Sequence, residues 1–395
     1  MKLIDLETFV VANPPPHFGG RWFLFVRLTT DDGITGVGEC YASSFAPAVL
    51  EAAIRDVFER WLLDRPADAI EAFLRSSFHG GYTGRPDPTV QGAVSALEMA
   101  CWDIVGRALD RPVHRLLGGA VHDRLRTYTY LYPEPGDATD VYADPELAAE
   151  RAAACVDRGF TAVKFDPAGP YTRHDPHQPS MNDLARCERF CRLLREAVGD
   201  RADLLFGTHG QFTASGALRV AERIRPASPL WFEEPVPPSE EAAMARVVAG
   251  AGVPVAAGER LTTLHEFSRL LASGVDILQP NLGRAGGILE GRKIAALAEA
   301  AGAQIAPHLY CGPVVAAANA QLALCSPNFL ILEGIDDFGG FHGALVGGAL
   351  RWEDGHLLPP TGPGLGIELD DALCRANRYD GSALNLDVRA SPAPL

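Results

Sequence analysis

The feature that most constrains this 395-residue chain is a repeat of short apolar runs and helix-length stretches between residues 128 and 332. The runs are Tyr128–Tyr132, Ala162–Phe165, Leu204–Phe206, Leu230–Phe232, Val253–Ala256, Ile277–Gln279, Ala303–Ala306 and Phe329–Leu332. Each except the last is followed by a helix-length segment. Repeated βα units of this kind imply a parallel sheet, and eight of them imply closure into a (β/α)8 barrel. An open doubly wound sheet is the rival. It would want a GxGxxG phosphate turn after its first strand, and none stands there. The expected fold is α/β, a modified TIM-like barrel over residues 126–345.

Residues 1–125 read differently. Trp22–Thr29 and Ile34–Glu39 flank the turn Asp31-Asp32-Gly33, which predicts a meander. Helical patterns follow at Ala46–Leu63, Ala67–Phe78 and Thr89–Leu109. In the last of these, Val94, Leu97, Cys101, Ile104, Val105 and Ala108 share one face. This is an α+β unit that ends near Gly118-Gly119. Residues 346–395, rich in proline and loop-like, are expected to return to it.

Charge bounds the partner. Fifty acidic residues against thirty-five basic ones leave a formal net charge of −15, the wrong sign for nucleic acid or an anionic membrane. The longest apolar stretch, Val247 to Gly258, is cut by glycines and Pro254 and is too short to span a bilayer. Asp5 and Glu7 interrupt the place where an export signal needs an apolar run. Eight scattered cysteines with no CxxC pair read as buried, reduced thiols of a cytoplasmic protein. A small molecule is the expected partner.

Polar residues follow nearly every proposed barrel strand. Lys164 and Asp166, two apart, share one face of the second strand. His209, Glu233-Glu234, Glu259-Arg260, Asn281, His308 and Glu333 follow the third to the eighth, one per βα unit, at steps of 22 to 27 residues. In a barrel these positions form a ring on the catalytic face. Converging carboxylates repel unless a cation lies between them, and oxygen ligands with one imidazole suit Mg²⁺ or Mn²⁺. A lysine and histidines on opposite walls can carry protons on and off a substrate held there. Together they suit removal of a proton α to a carboxylate, with fixed charges stabilising the enediolate. The bland alternatives are a barrel-mouth Lys164 paired with Asp166, and carboxylates paired with Arg260 or Arg284. His174 and His177, in the insert 169–180, read as surface-loop residues, and Gly283–Gly287 as a tight βα turn.

Several segments carry a family resemblance. They are Ala100–Gly119, Ala162-Val163-Lys164-Phe165-Asp166, Trp231-Phe232-Glu233-Glu234-Pro235, Gly258-Glu259-Arg260, Leu278-Gln279-Pro280-Asn281, Gly286-Gly287-Ile288 and Ala306-Pro307-His308. The chain resembles the enolase superfamily, of the mandelate racemase/muconate lactonizing enzyme kind and closest to its sugar-acid dehydratases, over essentially its full length. The resemblance implies a capping domain (1–125) over the barrel, metal ligands at Glu233 and Glu259, an acid or base at His308, and Glu333 beneath the substrate. It also implies a Mg²⁺ cofactor, a sugar-acid substrate and a homo-oligomer, dimer or octamer. His17, Arg21, Tyr82 and Arg85, in loops that a capping domain would hang over the mouth, and Arg260 become substrate-binding candidates.

Two departures from the family pattern matter. Gly207 occupies the third ligand's usual Asp position, so His209 is either the replacement ligand or a proton donor to a leaving hydroxyl. Asn281 stands where an Asp commonly partners the seventh-strand His. An amide orients His308 without stabilising an imidazolium, which weakens it as a base. The expected reaction is metal-dependent dehydration of an aldonic or aldaric acid to its 2-keto-3-deoxy product, with Lys164 or His308 as base. A racemase, epimerase or cycloisomerase on the same fold, and a non-catalytic sugar-acid binding protein, are the alternatives.

Overall fold

A computed structural model describes residues 1–41, 44–134, 136–169 and 177–386. Its N-terminal part is an antiparallel sheet in the order β1 (Leu3–Ala12), β2 (Trp22–Thr30), β3 (Thr35–Cys40). The meander is as expected. β1 escaped the sequence reading because Asp5 and Glu7 point to solvent and a bulge between Leu3 and Asp5 breaks its alternation. Three helices cover the sheet: α1 (Pro47–Trp61), α2 (Ile70–His79) and α3 (Pro88–Ala108). Asp87 caps α3 by accepting from the Thr89 and Val90 backbone N–H groups, and Pro88 opens it.

α3 is more buried than one apolar stripe implies, because it lies between the sheet and a barrel helix, Gly287–Ala300. Its fit against β3 depends on two glycines. A Cβ on Gly36 would come within 2.4 Å of the Ala100 carbonyl oxygen, and one on Gly38 within 1.8 Å of that of Ala96. Glu98, fully buried in α3, accepts from Ile288 N (2.7 Å), Leu289 N (2.8 Å) and Trp102 Nε1 (2.9 Å), tying the N-terminus of the barrel helix to α3.

The second part contains eight parallel strands: β4 (Leu125–Tyr130), β5 (Ala162–Phe165), β6 (Asp203–Gly207), β7 (Trp231–Glu233), β8 (Val255–Ala257), β9 (Ile277–Leu278), β10 (Gln304–Ile305) and β11 (Leu332–Gly334). Each pairs with the next from β4 to β10, and β11 pairs with β4. A single parallel bridge, Ile305 to Phe329, joins the remaining edge. The interior layer is Tyr128, Ala162, Leu205, Trp231, Ala256, Ile277, Ala306 and Ile331, one residue from each strand or its lead-in. This filling makes the barrel a packed core with its open mouth at the strand C-termini.

A hairpin absent from the expectation, β12 (Trp352–Glu353) and β13 (His356–Leu357), pairs with the first residues of β4. Farther on, the chain returns to the N-terminal sheet: Tyr379 N donates to the Val10 carbonyl, and Asn377 O accepts from Ala12 N. All eight cysteines are buried. Among the described residues, no helix is long and apolar enough to cross a membrane.

Candidate active site

Lys164, on β5, is fully buried. Its ammonium is ion-paired to Glu233 Oε1, lies 3.5 Å from Glu333 Oε1, and sits 4.9 Å from the centroid of the Tyr130 ring. Burial alone would lower its pKa, but Glu233 and Glu333 override this and hold it well above the ordinary lysine value. The other Glu233 oxygen accepts from Trp231 Nε1 (2.9 Å) and Gln279 Nε2 (2.7 Å). Glu333 Oε2 accepts from Leu309 N at 2.8 Å. The sequence reading placed Trp231 and Gln279 in family segments and Tyr130 in a strand, without offering any of them as a site residue. Their signal was only that they adjoin ring positions or lie on the same strand face.

A second cluster stands beside the first. Asp166 Oδ2 is 2.8 Å from His209 Nδ1, while its Oδ1 accepts from the Tyr130 hydroxyl at 2.9 Å. Burial works against the imidazolium, but Asp166 prevails and raises the His209 pKa to about 9. The His209 side chain is 31% exposed against 6% for His308, so it is the open histidine of the mouth. Arg260 bonds the His209 carbonyl and lies 3.0 Å from Glu234 Oε2, so its charge serves the β6–β7 loops.

On the opposite wall, His308 is buried. Its Nε2 lies 3.4 Å from Glu259 Oε2 and 3.7 Å from Glu333 Oε2. Its Nδ1 faces Asn281 Nδ2 at 2.8 Å. Burial pushes its pKa down to about 4, so the ring is neutral. Glu259 Oε2 is buried without a hydrogen bond.

The ring of strand-end residues is therefore brought together: Lys164, Asp166, His209, Glu233, Glu259, Asn281, His308 and Glu333 line one mouth. The N-terminal loop residues are not delivered as expected. Arg21 donates to the Leu384 carbonyl at 3.0 Å, because the returning C-terminal segment runs beside it. Tyr82 stands wholly in solvent, Arg85 is exposed, and exposed His17 bonds the Asn13 carbonyl of its own turn. What this loop offers instead is Phe18, stacked on Tyr132 just past β4 at 4.0 Å between centroids. His177 bonds the Gln211 carbonyl, whereas His174 lies outside the described residues.

Barrel and mouth together define an enolase-superfamily enzyme. Residues 17–118 match the family model "Mandelate racemase / muconate lactonizing enzyme, N-terminal domain", and residues 147–373 match "Enolase C-terminal domain-like". The chain belongs to the mandelate racemase/muconate lactonizing enzyme family. It is 33% identical over 389 residues to a D-gluconate/D-galactonate dehydratase of Picrophilus torridus, covering 96% of this chain and 95% of that one. It is 33% identical over 381 residues to a D-galactonate dehydratase of Ralstonia pickettii, covering 94% and 93%. A mandelate racemase/muconate lactonizing enzyme-like protein of Roseovarius sp. TM1035 superposes with a TM-score of 0.96 at 54% identity, over 99% of each chain.

Enzymes of this family generally use a divalent metal, and the donor set here does not fit one. Gly207 supplies no ligand. Both Glu233 oxygens are already bonded, one of them to the Lys164 ammonium. His209 is engaged through its Nδ1, which lies 2.8 Å from Asp166 Oδ2. Among the described residues no three His, Cys, Asp or Glu side chains form a group that could hold a metal ion. The expected trio of His209, Glu233 and Glu259 forms no such group, and Glu233 is ion-paired to Lys164.

Proposed function

We propose that the protein is a hydro-lyase that removes water from an aldonic or aldaric sugar acid, giving the 2-keto-3-deoxy acid. The observation that carries this reading is Lys164, a permanent ammonium buried between two carboxylates at the floor of a mouth lined by two imidazoles. The dehydratase relatives supply the substrate class.

In this reading the substrate carboxylate enters above Lys164. When the C2 proton leaves, negative charge spreads onto the carboxylate oxygens. A fixed ammonium in a site closed to water stabilises that charge far more than solvent would. Lys164 keeps its own proton, so its part is electrostatic and the proton carriers are the imidazoles. No step is routed through Mg²⁺ or Mn²⁺.

Elimination needs a proton taken at C2 and one given at the C3 hydroxyl, with no net change. The test is a panel of aldonic and aldaric acids incubated with the protein in D₂O. Keto-acid formation supports dehydration. Deuterium entering C2 without keto acid would indicate a racemase or epimerase, and neither outcome with any acid would leave a binding protein.

A further inference from the structure

Asn281 decides which nitrogen of His308 carries its proton. The amide orientation is fixed by an unambiguous donor: Gly283 N–H points at Asn281 Oδ1, 2.8 Å away. A flipped amide would set its NH₂ against that N–H, donor facing donor. The Asn281 Nδ2 therefore donates toward His308 Nδ1 across 2.8 Å. Nδ1 can receive that bond only through a lone pair, so the ring's single proton is on Nε2. From there it points into the mouth, toward Glu259 Oε2 and Glu333 Oε2.

We propose that Asn281 locks His308 as the Nε2–H tautomer, making it a fixed hydrogen-bond donor to a substrate oxygen, and that the base taking the C2 proton is the Asp166–His209 pair. The proposal rests on the dehydratase reading for its chemistry but not for its geometry. A histidine acting as base through Nε2 must end with a proton on both nitrogens, and the second would collide with the Asn281 amide. Full donation from Nε2 is equally closed, since it would leave an imidazolate. His308 thus polarises an oxygen, as a neutral imidazole can.

The opposite wall has the complementary arrangement. Asp166 accepts from His209 Nδ1, and a carboxylate partner stabilises the imidazolium formed when Nε2 takes a proton. One carrier then suffices. The C2–H bond breaks, its proton goes to His209 Nε2, and its electrons form the enediolate. These electrons next make the C2–C3 double bond as the C3–O bond breaks, and the hydroxide leaves as water with the proton from Nε2. The enol becomes the keto acid by taking a solvent proton at C3 and releasing its C2 hydroxyl proton to solvent. The groups facing His209 are Asp166, Tyr130 through Asp166, Arg260 and Glu259.

Neutron diffraction from wild-type crystals grown in D₂O reads the tautomer directly and needs no variant or substrate. A deuteron on His308 Nε2 with none on Nδ1 is expected; density on Nδ1 overturns the lock even if the protein proves a dehydratase. Kinetics test the division of labour. H308Q, whose amide still donates, is expected to lose about tenfold in turnover, whereas H209Q should lose about a hundredfold or more, as when a general base is removed. The reverse pattern would overturn the assignment. Failure of every sugar acid would refute the dehydratase reading alone and leave the neutron result standing.

Discussion

A Cβ on Gly207 would lie 2.4 Å from Asp166 Oδ1, so the residue at the vacant ligand position is what gives the Asp166 carboxylate its room. The missing carboxylate of β6 and the His209 ion pair are two aspects of one substitution: removing the side chain at 207 lets the β5 carboxylate lean across to the imidazole. G207A is expected to displace Asp166 and lower turnover by about a hundredfold, the scale on which a misplacement of roughly 1 Å acts. G207D should be worse and should gain no metal site. Steady-state kinetics with the best sugar acid and a metal titration by calorimetry check both.

Lys164 is the cation facing two buried carboxylates, and K164M would leave Glu233 and Glu333 without it. Breaking a buried pair on one side costs about 3–5 kcal/mol. Urea unfolding should show a loss on that scale, and turnover should vanish. The double variant K164M/E233Q is expected to recover part of the stability and none of the activity.

The Asp166–His209 pair makes a signed pH prediction. The folded pKa of His209 is raised from 6.5 to about 9, so the pair's stabilisation is fully present below about 6.5 and is lost as pH rises through about 9. With unprotonated His209 as the proposed base, kcat/KM should climb with pH to a plateau near the same value. In D166N the carboxylate that raises the pKa is gone, and the plateau should begin at lower pH with a smaller maximum. A pH-rate profile that D166N leaves unmoved would remove Asp166 from the proton path.

Glu98 predicts a stability effect far from the chemistry. Three donors converge on its two oxygens, so E98Q must turn an NH₂ toward at least one N–H. The expected cost is about 1–3 kcal/mol, with turnover at low temperature little changed. Thermal unfolding and a rate assay on the same preparation separate the two effects.

The eight strands were legible because βα alternation writes its period into the chain, and the ring of polar residues was legible because it keeps that period. Their boundaries moved by a few residues, and β9 and β10 shrank to two residues each, since backbone pairing rather than apolar content ends a strand. The Asp166–His209 pair was hidden. Its members were named separately, but which side chain leans on which depends on space, and a glycine does not advertise the neighbour it admits. Arg21 was read as a mouth residue because a cation in a loop gives no direction; its partner, Leu384, lies at the far end of the chain. The β12–β13 hairpin did carry a signal, the turn pair Asp354-Gly355 between Trp352 and Leu357, yet its strands are too short for periodicity to register.

Under the proposed function, the charge that steadies the enediolate is that of Lys164 rather than that of a bound divalent ion. The most direct measurement is sugar-acid turnover and metal content on one chelator-treated sample, by rate assay and elemental analysis together. Turnover that persists with far less than one metal per chain is the expected result. Turnover that disappears with the metal, and returns on adding one equivalent of Mg²⁺ or Mn²⁺, would contradict it.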